Sequence, residues 1–500
     1  MPGRRRLPRS NPGSQDVSAG RIADFLDDVR RSGLELHSLM VVRHGVVVAE
    51  GWWDPYRADV VHELYSLSKS FTSTAVGFAA AEGLLSVDDP VLEHLPDAVP
   101  DRPHPNLERM RLRHLLTMTT GHQDPTDGAV FPSRDWDRAF LALPVPHEPG
   151  THFLYNTAAT YLLSSIVQRR TGERLLDYLR PRLLEPLGIE GATWEQSPSG
   201  VDTGGFGLSV TTEDIACFGQ LYLDDGVWRG HRVLPEGWVA EATRRHNDSH
   251  IDSIDWAQGY GYQFWRCQPP GVYRGDGAFG QFCIVSPEQD AVIAITSGTP
   301  DLQGVLDRVW RHLLPALDGP TTGGSGAPTD QSGSAATSTD LARRLADLRL
   351  EPPLGTSNAP GLPAGMTIRL APNPARIAEV ELGPAGPDGV PESLTWRAAR
   401  QVEAVAVGSG QWSLGTMRKR GRAGTLRGRS GASRSPIAAA AAWSEAGDLV
   451  LQARPYDTPY CLTITTRFEG TGAGSQVRAS ASLNVSFGPT DLGTFEGVVA

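Results

Sequence analysis

Hydrophobic positions along this 500-residue chain come in short bursts whose spacing divides it into two unlike parts. Residues 22–31 repeat apolar positions at helical spacing. In Ser38-Leu-Met-Val-Val-Arg-His-Gly-Val-Val-Val-Ala49, β-branched runs flank His44-Gly45, the pattern of a hairpin. Residues 71–81 are small and apolar on nearly every face and run to Gly83, which predicts a buried helix with a glycine stop. Residues 158–170, 213–223 and 235–243 read as further helices, and 261–266, 280–286 and 291–296 as strands. Strands at both ends with helices between predict an α+β fold: one antiparallel sheet and a helical lobe.

Residues 319–340 contain no large apolar or aromatic side chain and are expected to form a flexible linker. Beyond it the pattern changes to two-residue alternation. Residues 449–454, 461–468 and 477–485, separated by Gly, Pro and Asp, predict a small antiparallel β domain over 341–500. The expected organisation is a disordered tail over 1–20, a main domain over 21–318, the linker, and the β domain, whose role is not legible.

Composition excludes several classes. The hydrophobic fraction of 40% and charged fraction of 21% are ordinary for a globular protein. No apolar run approaches the ~20 residues of a membrane span. The basic start, Met-Pro-Gly-Arg-Arg-Arg, has no apolar stretch behind it, so neither export nor membrane association is expected, and the cytoplasm is the expected location. The net charge of −11 is uneven, residues 1–340 carrying about −15, so no nucleic-acid partner is expected for that part. A basic run at 418–434 is read as a solvated loop, with an anionic partner as the minority view. Cys217, Cys267, Cys283 and Cys461 show no paired spacing, so no metal site, cofactor or disulfide framework is expected. Oligomeric state is not readable.

The candidate chemistry begins at Leu64-Tyr-Ser-Leu-Ser-Lys-Ser-Phe-Thr72. Ser66 lies where a polar segment meets the buried helix, and Lys69 follows one turn later on the same face. Serine is a poor nucleophile unless a neighbour takes its proton, and a desolvated lysine is able to do so. Ser-x-x-Lys alone is a weak motif. Of the 46 basic residues, however, only Lys69 and Lys419 are lysines. A chain that uses arginine wherever charge suffices keeps lysine at 69, where a guanidinium could not surrender a proton. Tyr155, ahead of the 158–170 helix, is the candidate second proton handler. The glycine-dense stretch 274–281 is the candidate oxyanion region, where backbone N–H groups approach a substrate closely. His122, Trp136 and Trp256, on the loops 121–149 and 247–258 that shape the acyl pocket, are read as packing or surface, with a pocket-lining role as the minority view.

In this order and spacing the elements resemble the class C β-lactamase and penicillin-binding-protein-like serine hydrolases over about residues 35–315. Also matching are His114-Leu-Leu-Thr-Met-Thr-Thr-Gly121, Tyr155-Asn-Thr157, Glu185-Pro-Leu-Gly-Ile189, Gly204-Gly-Phe-Gly-Leu208 and Gly277-Ala-Phe-Gly-Gln281. The resemblance implies a β-lactamase/transpeptidase-like fold with the site between sheet and helical lobe. It implies an acyl-enzyme at Ser66, Lys69 assisting deprotonation, Tyr155 protonating the leaving group, and Ser66 and Ala278 N–H groups as oxyanion hole. Gly277, Asp276, Asn156 and Thr157 are the accompanying substrate-binding candidates. Two departures stand out: Thr157 replaces the usual Asn of Tyr-x-Asn, and Gly275-Asp-Gly277 replaces the β-lactamase motif that begins with a carboxylate-holding lysine. The pattern looks closest to the esterase and 6-aminohexanoate-dimer hydrolase branch, so small esters or linear amides are the expected substrates. A D-amino-acid peptidase or β-lactamase is the first alternative, and a catalytically silent binding or scaffold protein the second.

Overall fold

The computed structural model describes residues 6–249, 251, 253–318, 331–355, 365–398, 401–418, 434–470 and 472–500. The chain forms two units. The first holds most of residues 6–347 and is built on a six-stranded sheet. Helix α1 (Ala19–Ser32), capped by Ser18 and closed by Gly33, precedes the hairpin β1 (Leu36–Arg43) and β2 (Val46–Trp52). His44 and Gly45 turn it with φ of 52° and 72°, as the His-Gly signal requires. The buried helix α2 (Ser68–Ala81) follows, and then α3 (Thr157–Thr171) and α4 (Thr212–Leu223). Strands β3 (Trp265–Arg266), β4 (Tyr273–Gly277), β5 (Gln281–Ser286) and β6 (Ala291–Ser297) complete the sheet in the order β2-β1-β6-β5-β4-β3.

α4 lies against β5 and β6 through Gly219: a Cβ there would stand 2.5 Å from Val292 Cγ1 and 2.9 Å from Cys283 Sγ. Phe71 of α2 stacks on Phe218 of α4 with ring centroids 3.9 Å apart. The sheet, α4 and α2 thereby share one core, and the N-terminus of α2 is fixed over the sheet's β4 edge.

Three expectations change here. The 1–20 tail is packed over its described part: Leu7 and Val17 are buried, and Arg9 pairs with Glu50 at 2.7 Å and Glu213 at 2.6 Å. Of the expected linker, 331–340 open a helix, α5 (Gln331–Ala346), and 319–330 lie outside the described residues. Leu341 is buried, and Arg344 of α5 pairs with Asp27 of α1 at 3.0 Å, so that segment is anchored despite its polar start. The strand expected over 261–266 is confined to β3, because Gln263 takes φ of 66° and breaks the extended run.

The second unit comprises Trp52–Arg57 and most of residues 348–500. Its strands are β7 (Thr367–Leu370), β8 (Ile377–Leu382), β9 (Ser393–Ala398), β10 (Gln401–Ala406), β11 (Gly408–Ser409), β12 (Ser413–Arg418), β13 (Arg434–Trp443), β14 (Leu449–Arg454), β15 (Leu462–Phe468), β16 (Gln476–Leu483) and β17 (Asp491–Val499). They form one sheet in the order β10-β9-β8-β7-β17-β16-β15-β14-β13-β11, with β12 also paired to β13. Every ladder given is antiparallel except the short β11–β13 pair. Its core gathers around Trp443, Ile437, Leu451 and Val477. Residues 419–433, most of the basic run, lie outside the described residues. No helix among the described residues is long and apolar enough to cross a membrane.

Candidate active site

The short strand His62–Glu63 pairs with Leu208–Val210, and Leu64 N–H donates to the Leu208 carbonyl at 2.8 Å. Tyr65 then adopts φ of 48°, a backbone conformation disfavoured for a residue with a side chain, and turns the chain sharply into Ser66 and α2. Hydroxyls along α2 tie it down. Ser68 Oγ accepts from Leu208 N–H at 3.1 Å, Ser70 Oγ donates to the Gln263 carbonyl at 2.8 Å, and Thr72 Oγ1 donates to the Gly204 carbonyl at 2.8 Å. Ser66 is therefore presented by a rigid turn, not by a loop.

Lys69 is 1% exposed. Its Nζ donates to Ser66 Oγ at 2.9 Å, to the Gly205 carbonyl at 2.7 Å and, more weakly, to Thr157 Oγ1 at 3.4 Å. The Tyr155 hydroxyl is hydrogen-bonded with Ser66, and Lys69 Nζ lies 4.9 Å from the centroid of its ring. Burial drives the Tyr155 phenol well above its ordinary range, and the negative field of Asp276 adds to this, while the Ser66 hydrogen bond acts the other way. Tyr155 is thus a neutral phenol, equipped to give a proton. It stacks on Trp265, with centroids 5.5 Å apart, and meets Tyr260 edge-on at 6.2 Å.

The Tyr155-Asn-Thr157 departure resolves at atomic level. Asn156 caps α3: its Oδ1 accepts from Ala159 N–H at 3.2 Å and from Thr126 Oγ1 at 2.6 Å. Its Oδ1 is thereby engaged as the helix cap, while its Nδ2 is buried without a partner among the described residues. Thr157, one residue on, supplies the oxygen that faces Lys69.

Strand β4 runs along the Ser66 turn so closely that a Cβ on Gly277 would stand 2.0 Å from the Leu64 carbonyl oxygen. Gly277 and Ala278 are therefore brought beside the nucleophile's backbone. The turn after them is fixed by Gln281, whose Nε2 donates to the Ala278 carbonyl at 3.0 Å and the Ser297 carbonyl at 2.8 Å. Phe279 takes φ of 65° in this turn and packs edge-on against Tyr65 at 5.4 Å. Two disfavoured backbone conformations thus brace one another across the site.

Arg274 and Asp276 project together from β4. Arg274 is fully buried, with Nε donating to Asp276 Oδ2 at 3.0 Å and Nη1 to the carbonyls of Asp255 at 3.3 Å and Arg266 at 3.2 Å. Burial pushes the Asp276 carboxyl up, while Arg274 and then Lys69 pull it down; the guanidinium, which keeps its proton, fixes it as an ion-pair partner. Trp256 is a half-buried packing residue, set against the Met118, Tyr260 and Trp265 cluster and lying over Arg274 at 4.6 Å. Trp136 and His122 are packing residues, set against Tyr161 and Phe140. Sequence reasoning missed Gly205 as a site residue because it acts through its carbonyl. The signal available was the Gly204-Gly205 doublet: a Cβ on Gly205 would stand 2.7 Å from Thr157 Cγ2.

A helical lobe over an antiparallel sheet, with Ser66, Lys69 and Tyr155 joined at one oxygen, defines a serine hydrolase of the β-lactamase and penicillin-binding-protein type. The Beta-lactamase family model matches residues 19–318, and the chain belongs to that family. It is 30% identical over 309 residues to the 6-aminohexanoate-dimer hydrolase of Paenarthrobacter ureafaciens, covering 57% of this chain and 78% of that protein. Esterase EstB of Burkholderia gladioli is 27% identical over 209 residues, covering 36% of this chain and 53% of the esterase. A solved structure from Bacillus anthracis, named as a candidate 6-aminohexanoate-dimer hydrolase, superposes with a TM-score of 0.51 at 21% identity. That match covers 62% of this chain and 87% of the other, and it shows the fold.

Proposed function

We propose that this chain hydrolyses small esters or linear amides through an acyl-enzyme at Ser66. Ser66 Oγ attacks the substrate carbonyl carbon as its proton passes to Lys69 Nζ. The oxyanion is held by the Ser66 and Ala278 N–H groups. The Tyr155 hydroxyl gives its proton to the leaving oxygen or nitrogen as the acyl bond breaks, and Lys69 returns a proton to Tyr155. Water then attacks the acyl ester, releasing the acid and restoring Ser66. The supporting observation is the 2.9 Å Lys69–Ser66 contact inside a buried site whose tyrosine meets the same hydroxyl.

The ester and amide preference rests on the β4 segment, which carries Gly275-Asp-Gly277 where β-lactamases begin with lysine, and on the names of the two relatives. The test is turnover of short 4-nitrophenyl esters together with labelling by a fluorophosphonate probe. Ser66→Ala is expected to abolish both, and retention of either in the folded variant would refute the proposal.

A further inference from the structure

We propose that Asp276 is a specificity-determining residue: by holding Arg274 in an ion pair, it bars substrates that carry a carboxylate on the leaving-group side. This rests on the Ser66 hydrolase reading and narrows its substrate class to esters and amides with an uncharged leaving group.

Arg274 is the cation beside the site on β4, and its charge is already committed. Asp276 takes Nε at 3.0 Å, and Asp255 lies 4.0 Å from Nη1. One guanidinium thus faces two carboxylates. Asp255 is itself pinned, accepting from Gln303 Nε2 at 2.7 Å, Trp310 Nε1 at 2.9 Å and Gln268 N–H at 2.9 Å. It cannot turn away to release Arg274. Trp256 lies over the guanidinium at 4.6 Å.

Asp276 sits on β4 two residues before Ala278 and next to Gly277, where a Cβ would stand 2.0 Å from the Leu64 carbonyl oxygen of the Ser66 turn, and its field also reaches Lys69 and Tyr155. Tyr155 is the group placed to protonate the departing atom, so the charge is felt where the leaving group would lie. A substrate carboxylate there meets like charge in a low-dielectric setting, with no open cation to receive it.

The test compares two esters of one acid on the full chain: butyryloxyacetate, with an anionic leaving group, and butyryloxyacetamide, its neutral counterpart. Each kcat/KM is divided by the same ester's alkaline hydrolysis rate. The wild-type protein is expected to favour the neutral ester about 100-fold or more, a reading that no variant's folding can disturb. Asp276→Asn, which keeps the shape and removes the charge, is expected to shrink that preference at least tenfold. A wild-type ratio near one, or an unchanged ratio in a folded and active variant, would overturn the inference and leave the Ser66 mechanism standing. Failure to turn over either ester would overturn the hydrolase reading and this inference with it.

Discussion

Lys69 has three oxygens around its terminal nitrogen, and each comes from a different stretch of chain: Ser66, Thr157 and Gly205. The serine and lysine were legible because lysine is so scarce here that its position carries meaning. The other two were not, since a carbonyl has no residue-type signature and Thr157 stood where asparagine was the familiar residue. Lys69→Arg separates charge from proton transfer. The guanidinium keeps the positive field but cannot accept the Ser66 proton, so kcat is expected to fall about 10²–10⁴-fold. Steady-state ester hydrolysis with circular dichroism as the folding check reads this; a loss under tenfold would remove Lys69 from its assigned role.

At the scale of elements, the periodic segments were the readable ones. The hairpin at His44-Gly45 and the helices around 71–81, 158–170 and 213–223 all formed within a few residues of their expected limits. Strand β4 was read as a glycine-dense approach to a strand, because Tyr273-Arg-Gly-Asp-Gly277 offers no apolar alternation, only polar side chains and glycines. Strand β13 was hidden by Ala438–Ala442, a run whose intrinsic preference is helical and which becomes strand only by packing on both faces. Gly219 shows how narrowly the elements fit. Gly219→Ala places a methyl within 2.5 Å of Val292 Cγ1. Overpacking of about 1–3 kcal/mol is expected to outweigh the gain in helix propensity, lowering the urea midpoint with an unchanged slope. A stabilised variant would show that α4 and the sheet are free to separate.

For the molecule as a whole, the division into two units was visible as a change of period, and its position was displaced. The boundary falls between Asp347 and Leu348, because the helix α5 continues the first unit past the polar stretch. Global stability carries a pH signature from buried histidines. Burial holds His122 at about 4, so it is neutral in the fold and protonates only below that value. An unfolded histidine titrates near 6.5, so the unfolded chain binds the extra proton as pH falls, and stability is lost between about 6.5 and 4. His122→Gln removes that titration. Between pH 6.5 and 5 the wild type is expected to lose roughly 1–2 kcal/mol more than this variant in urea unfolding. Equal losses would mean that His122 is already charged in the fold.

The exchange of duties between Asn156 and Thr157 has an evolutionary consequence. One residue must cap α3 and the next must offer Lys69 an oxygen, and a hydroxyl is chemically fit for either task. Asn156 can keep its cap while Thr157→Asn alone gives the familiar Tyr-x-Asn, a step in which neither task need lapse. The two forms of the motif are adjacent in sequence space and joined by single steps that selection need not oppose. A search pattern that insists on asparagine at the third position would pass over this chain, which stands one substitution away.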